Sequence, residues 1–429
     1  MRRKRERYVD NKYNTNTANV DDIKCNVKHQ IQLITALLDK EYPCNVKYKI
    51  YSDRKTKIDY TMYTGTAGNV YLYWREYLYT KSQASLAKVE QAYNTNRALY
   101  ERYKSVSSSS DVNSFFMGPA GIFALGCVIY TELIPNKNKA NQNLQELLTM
   151  KDMSSSLNSE DELLYGNAGY LYSLLLVHQH CVNMQNELKG VLISTAKTLI
   201  EHGKVYMKKL KCNECLLFPF PKGRQYSLYT GAAHGIIGVV YQILCVYYLY
   251  KESFTNEDIT LLRKSVDYII SIQFDSGNIP SSIDGDKDDK IHFCHGPVGA
   301  VHLFALSYYL FNDSKYKTAL LKCEKPMWER GILLKGNGVC HGISGTVYGL
   351  YKIYTFTKDE TILKKAWLIC SATYDEYVQS KCRVYEDPQR RCIGNADTPF
   401  SLMEGIGGTL SMYYDMMSGN VCFPGYEII

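Results

Sequence analysis

Apolar residues gather into stretches that each follow a Gly-x-x-Gly element. YLYSLLLV after Gly169, AVHLFALSYYL after Gly299 and TVYGLYKIY after Gly345 show the type. The element recurs seven times, at Gly65/Gly68, Gly118/Gly121, Gly166/Gly169, Gly235/Gly238, Gly296/Gly299, Gly342/Gly345 and Gly405/Gly408. Chance in a chain with 29 glycines could produce one copy but not a regular set of seven. Each pair is preceded by an amphipathic segment; around Leu188, Leu192, Ala196 and Leu199 the apolar spacing is three and four, the period of a helix with one buried face.

This pattern predicts an all-α fold of seven helix pairs. In each, an amphipathic outer helix leads through a loop to a glycine-marked start and a more fully buried inner helix. Glycine there lets backbones crowd and leaves first-turn N–H groups open. Strand-like alternation is scarce. Seven pairs can stack as an open solenoid or close into a ring. An inner layer more apolar than the outer one favours closure, an (α/α)7 toroid with all seven glycine-marked starts at one end.

Composition narrows the class. A hydrophobic fraction of 45% with 22% charged residues belongs to a folded globular chain. Much of the net charge of +7 sits in Arg2, Arg3, Lys4, Arg5 and Arg7, so residues 1–24 are expected to form a basic N-terminal segment and 25–429 a single toroid domain. Elsewhere Lys alternates with Asp and Glu, which leaves no basic stripe for nucleic acid. No apolar stretch follows the basic start as a secretory signal requires, and the run Gly235 to Tyr250 is too short to span a bilayer. A cytoplasmic protein is expected, with membrane contact limited to weak peripheral attraction of the basic terminus to anionic lipid, at the plasma membrane. Fourteen Cys are too sparse for a disulfide scaffold.

The repeats differ where chemistry would lie. Four elements are plain, whereas GAAHG (231–235), FCHG (293–296) and VCHG (339–342) carry His or Cys immediately before the first glycine. Catalytic zinc takes three protein ligands from thiolate and imidazole and keeps a fourth position open. Cys294, His295, Cys340 and His341 supply such donors, and spacing alone does not choose between two Cys with one His and two Cys with two. Cys212-Asn-Glu-Cys215 has the gap of half a zinc site without a second half, and reads as a loop coincidence. Asp284, Asp286, Asp288 and Asp289 lack the Glu of a calcium loop, because Asp284 plus eleven is His295; they read as a solvated acidic loop.

At these residues the sequence resembles the lanthionine synthetase C-like family, in its eukaryotic branch. The shared segments are LLYGNAGYLYSLL (163–175), LYTGAAHGIIG (228–238), HFCHGPVG (292–299), GNGVCHGISG (336–345) and DTPFSLMEGIGGT (397–409). The resemblance implies the seven-repeat toroid and one zinc ion held by Cys294, Cys340 and His341. It also implies a reaction in which a glutathione thiol adds to dehydroalanine or dehydrobutyrine in peptides or proteins, these arising from phosphorylated Ser or Thr, with kinases as further partners. His234 maps onto the family acid, and Glu162 falls near a family carboxylate, although an exposed acid at a helix start is its plainer reading. Lys335 and Arg7 match family positions that bind glutathione. Three residues before Asp397, Gly394 stands where the family has Arg. That departure gives weight to an alternative, a glutathione-binding signalling or redox adaptor without turnover.

Overall fold

The computed structural model describes residues 7–51, 53–105, 112–154, 160–222, 225–382 and 396–428. Seven inner helices follow the glycine pairs: Ala67–Thr80, Ala120–Val128, Asn167–His180, Ile236–Leu249, Pro297–Phe311, Ile343–Thr357 and Ile406–Ser418. Outer helices are Val20–Glu41, Gln83–Tyr103, Lys137–Thr149, Gln185–Lys209, Asn256–Ser271, the broken pair Ser314–Lys322 and Glu324–Arg330, and Glu360–Ser371. Among the described residues the strands form only two antiparallel ladders of two strands each, Lys49–Ile50 with Thr56–Lys57 and Phe220–Lys222 with Gln225–Ser227. No described helix is long and apolar enough to cross a membrane.

Each inner helix packs against the next, and the seventh packs against the first. The ring is closed. Pairing, however, runs opposite to the order expected from the sequence. Each of the first six inner helices packs on the outer helix that follows it, and the seventh takes Val20–Glu41 from the other end of the chain. Burial differs by layer as the pattern predicts. Asn167 to Val177 are all buried, whereas helix Gln185–Lys209 buries one stripe that includes Leu188, Leu192, Ala196 and Leu199. Each such leucine contributes about 1.5–3 kcal/mol relative to exposure.

Helix starts explain the repeat. Six of the seven outer helices begin on side-chain caps, Asn19, Ser82, Asn136, Asp313 and Asp359 among them, with a full capping box at Thr255 and Asp258; Gln185–Lys209, which follows Met184, has none. Inner helices have no side-chain cap. Their first-turn N–H groups are not open, as the sequence suggested, but bond to carbonyls of the preceding loop: Asn167 to Glu160, Ile236 to Tyr229, Ile343 to Gly336 and Ile406 to Pro399. The same carbonyl lies against the first glycine of the pair, where a Cβ would collide with it. The second glycine meets the carbonyl six residues before it in the same way. Both glycines are therefore fixed by close backbone approach, and Gly296 by its φ of +130° as well.

The loops are also laced to one another. Backbone N–H groups of Leu163, Phe293, Cys340, Met403 and Tyr63 bond to the carbonyls of Ala233, Cys340, Met403, Tyr63 and Phe116 respectively. Each of these acceptors stands two residues before a first glycine. Beneath the loops the ring interior is filled by the C-terminal segment. Phe423 stacks on Phe293 at 4.3 Å between centroids, Tyr426 donates to the Gly299 carbonyl at 3.1 Å, and Glu427 pairs with Lys352 at 2.6 Å.

Two glycine substitutions should separate these constraints. Gly238→Ala, whose Cβ would strike the Ala232 carbonyl, should destabilise the protein by at least about 1–3 kcal/mol. Gly190→Ala, with open space around it in an outer helix, should stabilise by about 0.4–1 kcal/mol. Denaturant unfolding checks both; equal effects would contradict the account of the repeat.

Candidate metal centre at the ring mouth

Backbone lacing sets which side chains meet. Cys294 and Cys340 stand two residues before first glycines in adjacent repeats, and the Cys294 and Phe293 N–H groups both point to the Cys340 carbonyl. Their Sγ atoms and a ring nitrogen of His341 all lie within 4.8 Å of one another. The contact with Cys294, reinforced by burial, pushes the Cys340 thiol well above the ordinary range. Burial lowers the His341 pKa, but the neighbouring Cys340 more than offsets it and the net shift is upward. His341 Nε2 is buried without a hydrogen-bond partner. An imidazole with an unpartnered buried nitrogen, set beside two thiols, fits a single metal ion, which would supply the positive charge that thiolates need.

His295 is not in this group. Its ring lies 5.0 Å from Tyr229 and 6.1 Å from His234, towards the preceding repeat. Of the alternatives left open by spacing, the geometry gathers two Cys and one His. His292 borders the cluster, with Nδ1 3.9 Å from Cys294 Sγ, and burial together with the nearby His341 drops its pKa to about 3.

A second pair faces the cluster. His234 Nδ1 lies 2.7 Å from Glu162 Oε2, brought there by the Leu163 N–H bond to the Ala233 carbonyl. Glu162 is only 3% exposed and accepts from the N–H groups of Leu164 and Tyr165. The reading of Glu162 as an exposed acid is therefore corrected: its carboxylate is folded back into the loop by those N–H groups. Burial lowers the His234 pKa, but the hydrogen bond and charge of Glu162 outweigh it, so the net shift is upward. Aromatic rings wall the imidazole, with Phe220 at 4.7 Å, Tyr229 at 5.9 Å and Tyr165 stacked at 6.3 Å.

Cationic candidates lie on one rim. The N-terminal segment bonds Val9 N to the Ile332 carbonyl and accepts from Leu334 N at the Arg7 carbonyl, so Arg7 runs beside the segment that carries Lys335. Lys335 Nζ is 2.9 Å from Asp397 Oδ2, and Arg7 Nε is 2.9 Å from Asp289 Oδ2. Asp397 and Glu404 in turn converge on His341, with donor atoms of all three within 4.8 Å. Gly394 lies outside the described residues. The acidic loop is not merely solvated: Asp288 pairs with Arg330 at 3.0 Å, and Asp289 holds Arg7.

Sequence reasoning missed Glu404, Tyr165 and Phe220. Glu404 and Tyr165 occupy the position just before a first glycine, the one held elsewhere by His234, His295 and His341, so aligning the repeats would have marked them. Phe220 arrives on a short hairpin with no comparable signal.

A closed α/α ring whose helix-start loops gather two thiols and an imidazole defines the class of this protein. The chain belongs to the lanthionine synthetase C-like protein family, whose description matches residues 56–428. Glutathione S-transferase LANCL1 of Danio rerio is 29% identical over 377 residues, covering 86% of this chain and 85% of that protein. Nisin cyclase shares the fold with a TM-score of 0.59 at 16% identity, over 92% of this chain and 94% of its own.

The Glu162 contact makes a signed prediction. In Glu162→Gln the burial of His234 remains while the opposing charge is gone, so its pKa should fall below the ordinary imidazole value of about 6.5. A group whose pKa is raised on folding contributes stability that is fully present below its unfolded pKa and lost as pH rises through the folded one. The variant should therefore lose stability chiefly below about pH 6.5. NMR titration of His234 and unfolding at several pH values check this; an unchanged His234 pKa would contradict the assignment.

Proposed function

We propose that this protein binds one zinc ion through Cys294, Cys340 and His341 and transfers glutathione to dehydroalanine or dehydrobutyrine residues of peptides or proteins. The observation that carries the reading is the three-donor cluster facing the His234–Glu162 pair at one mouth of the ring. Membership in the family and similarity to a relative named as a glutathione S-transferase support the thiol donor. Zinc held by these three residues would lower the pKa of a thiol bound to it.

The remaining steps belong to the chain. Lys335, on the rim, offers positive charge to the glutathione carboxylates, with Arg7 alongside. The sulfur bonds to the alkene β-carbon, and the electron pair of the double bond moves to the α-carbon and its carbonyl. His234, held cationic by Glu162, delivers a proton to the α-carbon. The thiol proton, lost on activation, restores the imidazolium, so atoms and charge balance. Tyr165, Phe220 and Tyr229 exclude water around that imidazole, which strengthens its coupling to Glu162. Elimination of phosphate from phosphorylated Ser or Thr supplies the electrophile, which places kinases upstream.

Metal analysis should find one zinc per chain, lost in Cys294→Ala, Cys340→Ala and His341→Ala and kept in Cys212→Ala. Two zinc ions per chain, or retention in Cys340→Ala, would refute the ligand set. With glutathione and a dehydroalanine peptide, adduct formation should require zinc and fall about a hundredfold or more in His234→Asn while zinc is retained. Glutathione and zinc binding without any adduct would support the adaptor instead.

A further inference from the structure

Cys212-Asn213-Glu214-Cys215 takes no part in the centre described above. It lies between outer helix Gln185–Lys209 and the hairpin that begins at Phe220. Cys215 is fully buried, and Cys212 reaches the surface. Their side chains hydrogen-bond each other, and no third donor joins them in a metal-sized group among the described residues. Among the described residues, the second half of a zinc site that is missing from the sequence is missing in space as well.

The backbone on both sides is pinned. Cys212 N bonds the Met207 carbonyl at 3.0 Å, Leu216 N bonds Ser265 Oγ at 3.0 Å, and Leu216, Leu217 and Phe218 are buried. The fold thus holds two thiols in contact, the Cys212 thiol reaching the surface and the Cys215 thiol buried behind it, a juxtaposition that a disulfide requires. Lys208, Lys209 and Lys211 are exposed in the residues just before Cys212, a local positive charge suited to the carboxylates of a small anionic disulfide.

We propose that Cys212 and Cys215 form a reversible redox site that takes glutathione disulfide as its oxidant. The Cys212 thiolate attacks one sulfur of glutathione disulfide, expels a glutathione thiolate and becomes a mixed disulfide. Cys215 then gives its proton to solvent and attacks Cys212 Sγ, expelling the second glutathione. Two protein thiols are oxidised to one disulfide, and one glutathione disulfide is reduced to two thiols. Burial and the neighbouring Cys212 raise the Cys215 pKa, which leaves first attack to the accessible partner. The segment continues to Phe220, whose ring lies 4.7 Å from that of His234. The inference stands independently of the proposed transfer reaction.

Tryptic mapping tests it on the full chain, since cleavage after Lys211 and Lys222 releases both cysteines in one peptide. After equilibration with excess glutathione disulfide, the peptide should lose both alkylatable thiols, carry no glutathione and recover on treatment with dithiothreitol. Cys215→Ser should instead trap one glutathione on Cys212. Cys212→Ser, changed at the more exposed position, should leave Cys215 free of glutathione. Two alkylatable thiols in the oxidised peptide, or a persistent glutathione adduct at Cys212 of the unsubstituted chain, would overturn the proposal.

Discussion

A loop carbonyl lies against the first glycine of every pair, where nothing larger fits. In five of the seven repeats it also closes the first turn of the inner helix; in the other two Pro119 and Pro297 have no N–H to donate. That one contact, repeated at Glu160, Tyr229, Gly336 and Pro399 among others, folds every loop back over its helix start. It turns seven dissimilar loops into one shape and aims the residues just before each first glycine at a common mouth. The chemistry occupies positions that the backbone had already brought together. Cys294, Cys340 and His341 meet because their repeats are neighbours in the ring, and Glu162 meets His234 for the same reason.

Electrostatics at the mouth divide the site into two halves. Around Cys340 thiol–thiol contact and burial oppose ionisation, so Cys340 favours the thiol until a cation arrives. Around His234 a buried carboxylate favours the charged imidazole. One half thus calls for a positive ion and the other favours one on its own imidazole. Each perturbation would be costly alone, and both sit at the loops rather than in the helical layers that supply the stability.

Legibility in the sequence follows from the same physics. The repeat was readable because backbone collision forces glycine, a constraint that leaves an unmistakable letter. Cys294, Cys340, His341 and His234 were readable as departures from a plain template at a fixed offset. Glu404 and Tyr165 share that offset, but carboxylates and phenols are common enough at exposed loops to be passed over. The burial of Glu162 depends on the N–H groups of Leu164 and Tyr165, which no side-chain pattern announces. Docking of Arg7 beside Lys335 is carried by main-chain bonds to residues 332–334, and ring closure by Val20–Glu41 depends on elements at opposite ends of the chain. Both are invisible to periodicity.

The central claim is that the mouth is a metal centre with two sulfur ligands and one position open to a thiol. X-ray absorption at the zinc edge of the purified protein tests it directly. The account predicts two sulfur scatterers at about 2.3 Å with lighter atoms completing the shell, rising to three sulfurs when glutathione is added. A shell that already holds four sulfurs, or one that glutathione leaves unchanged, would contradict it.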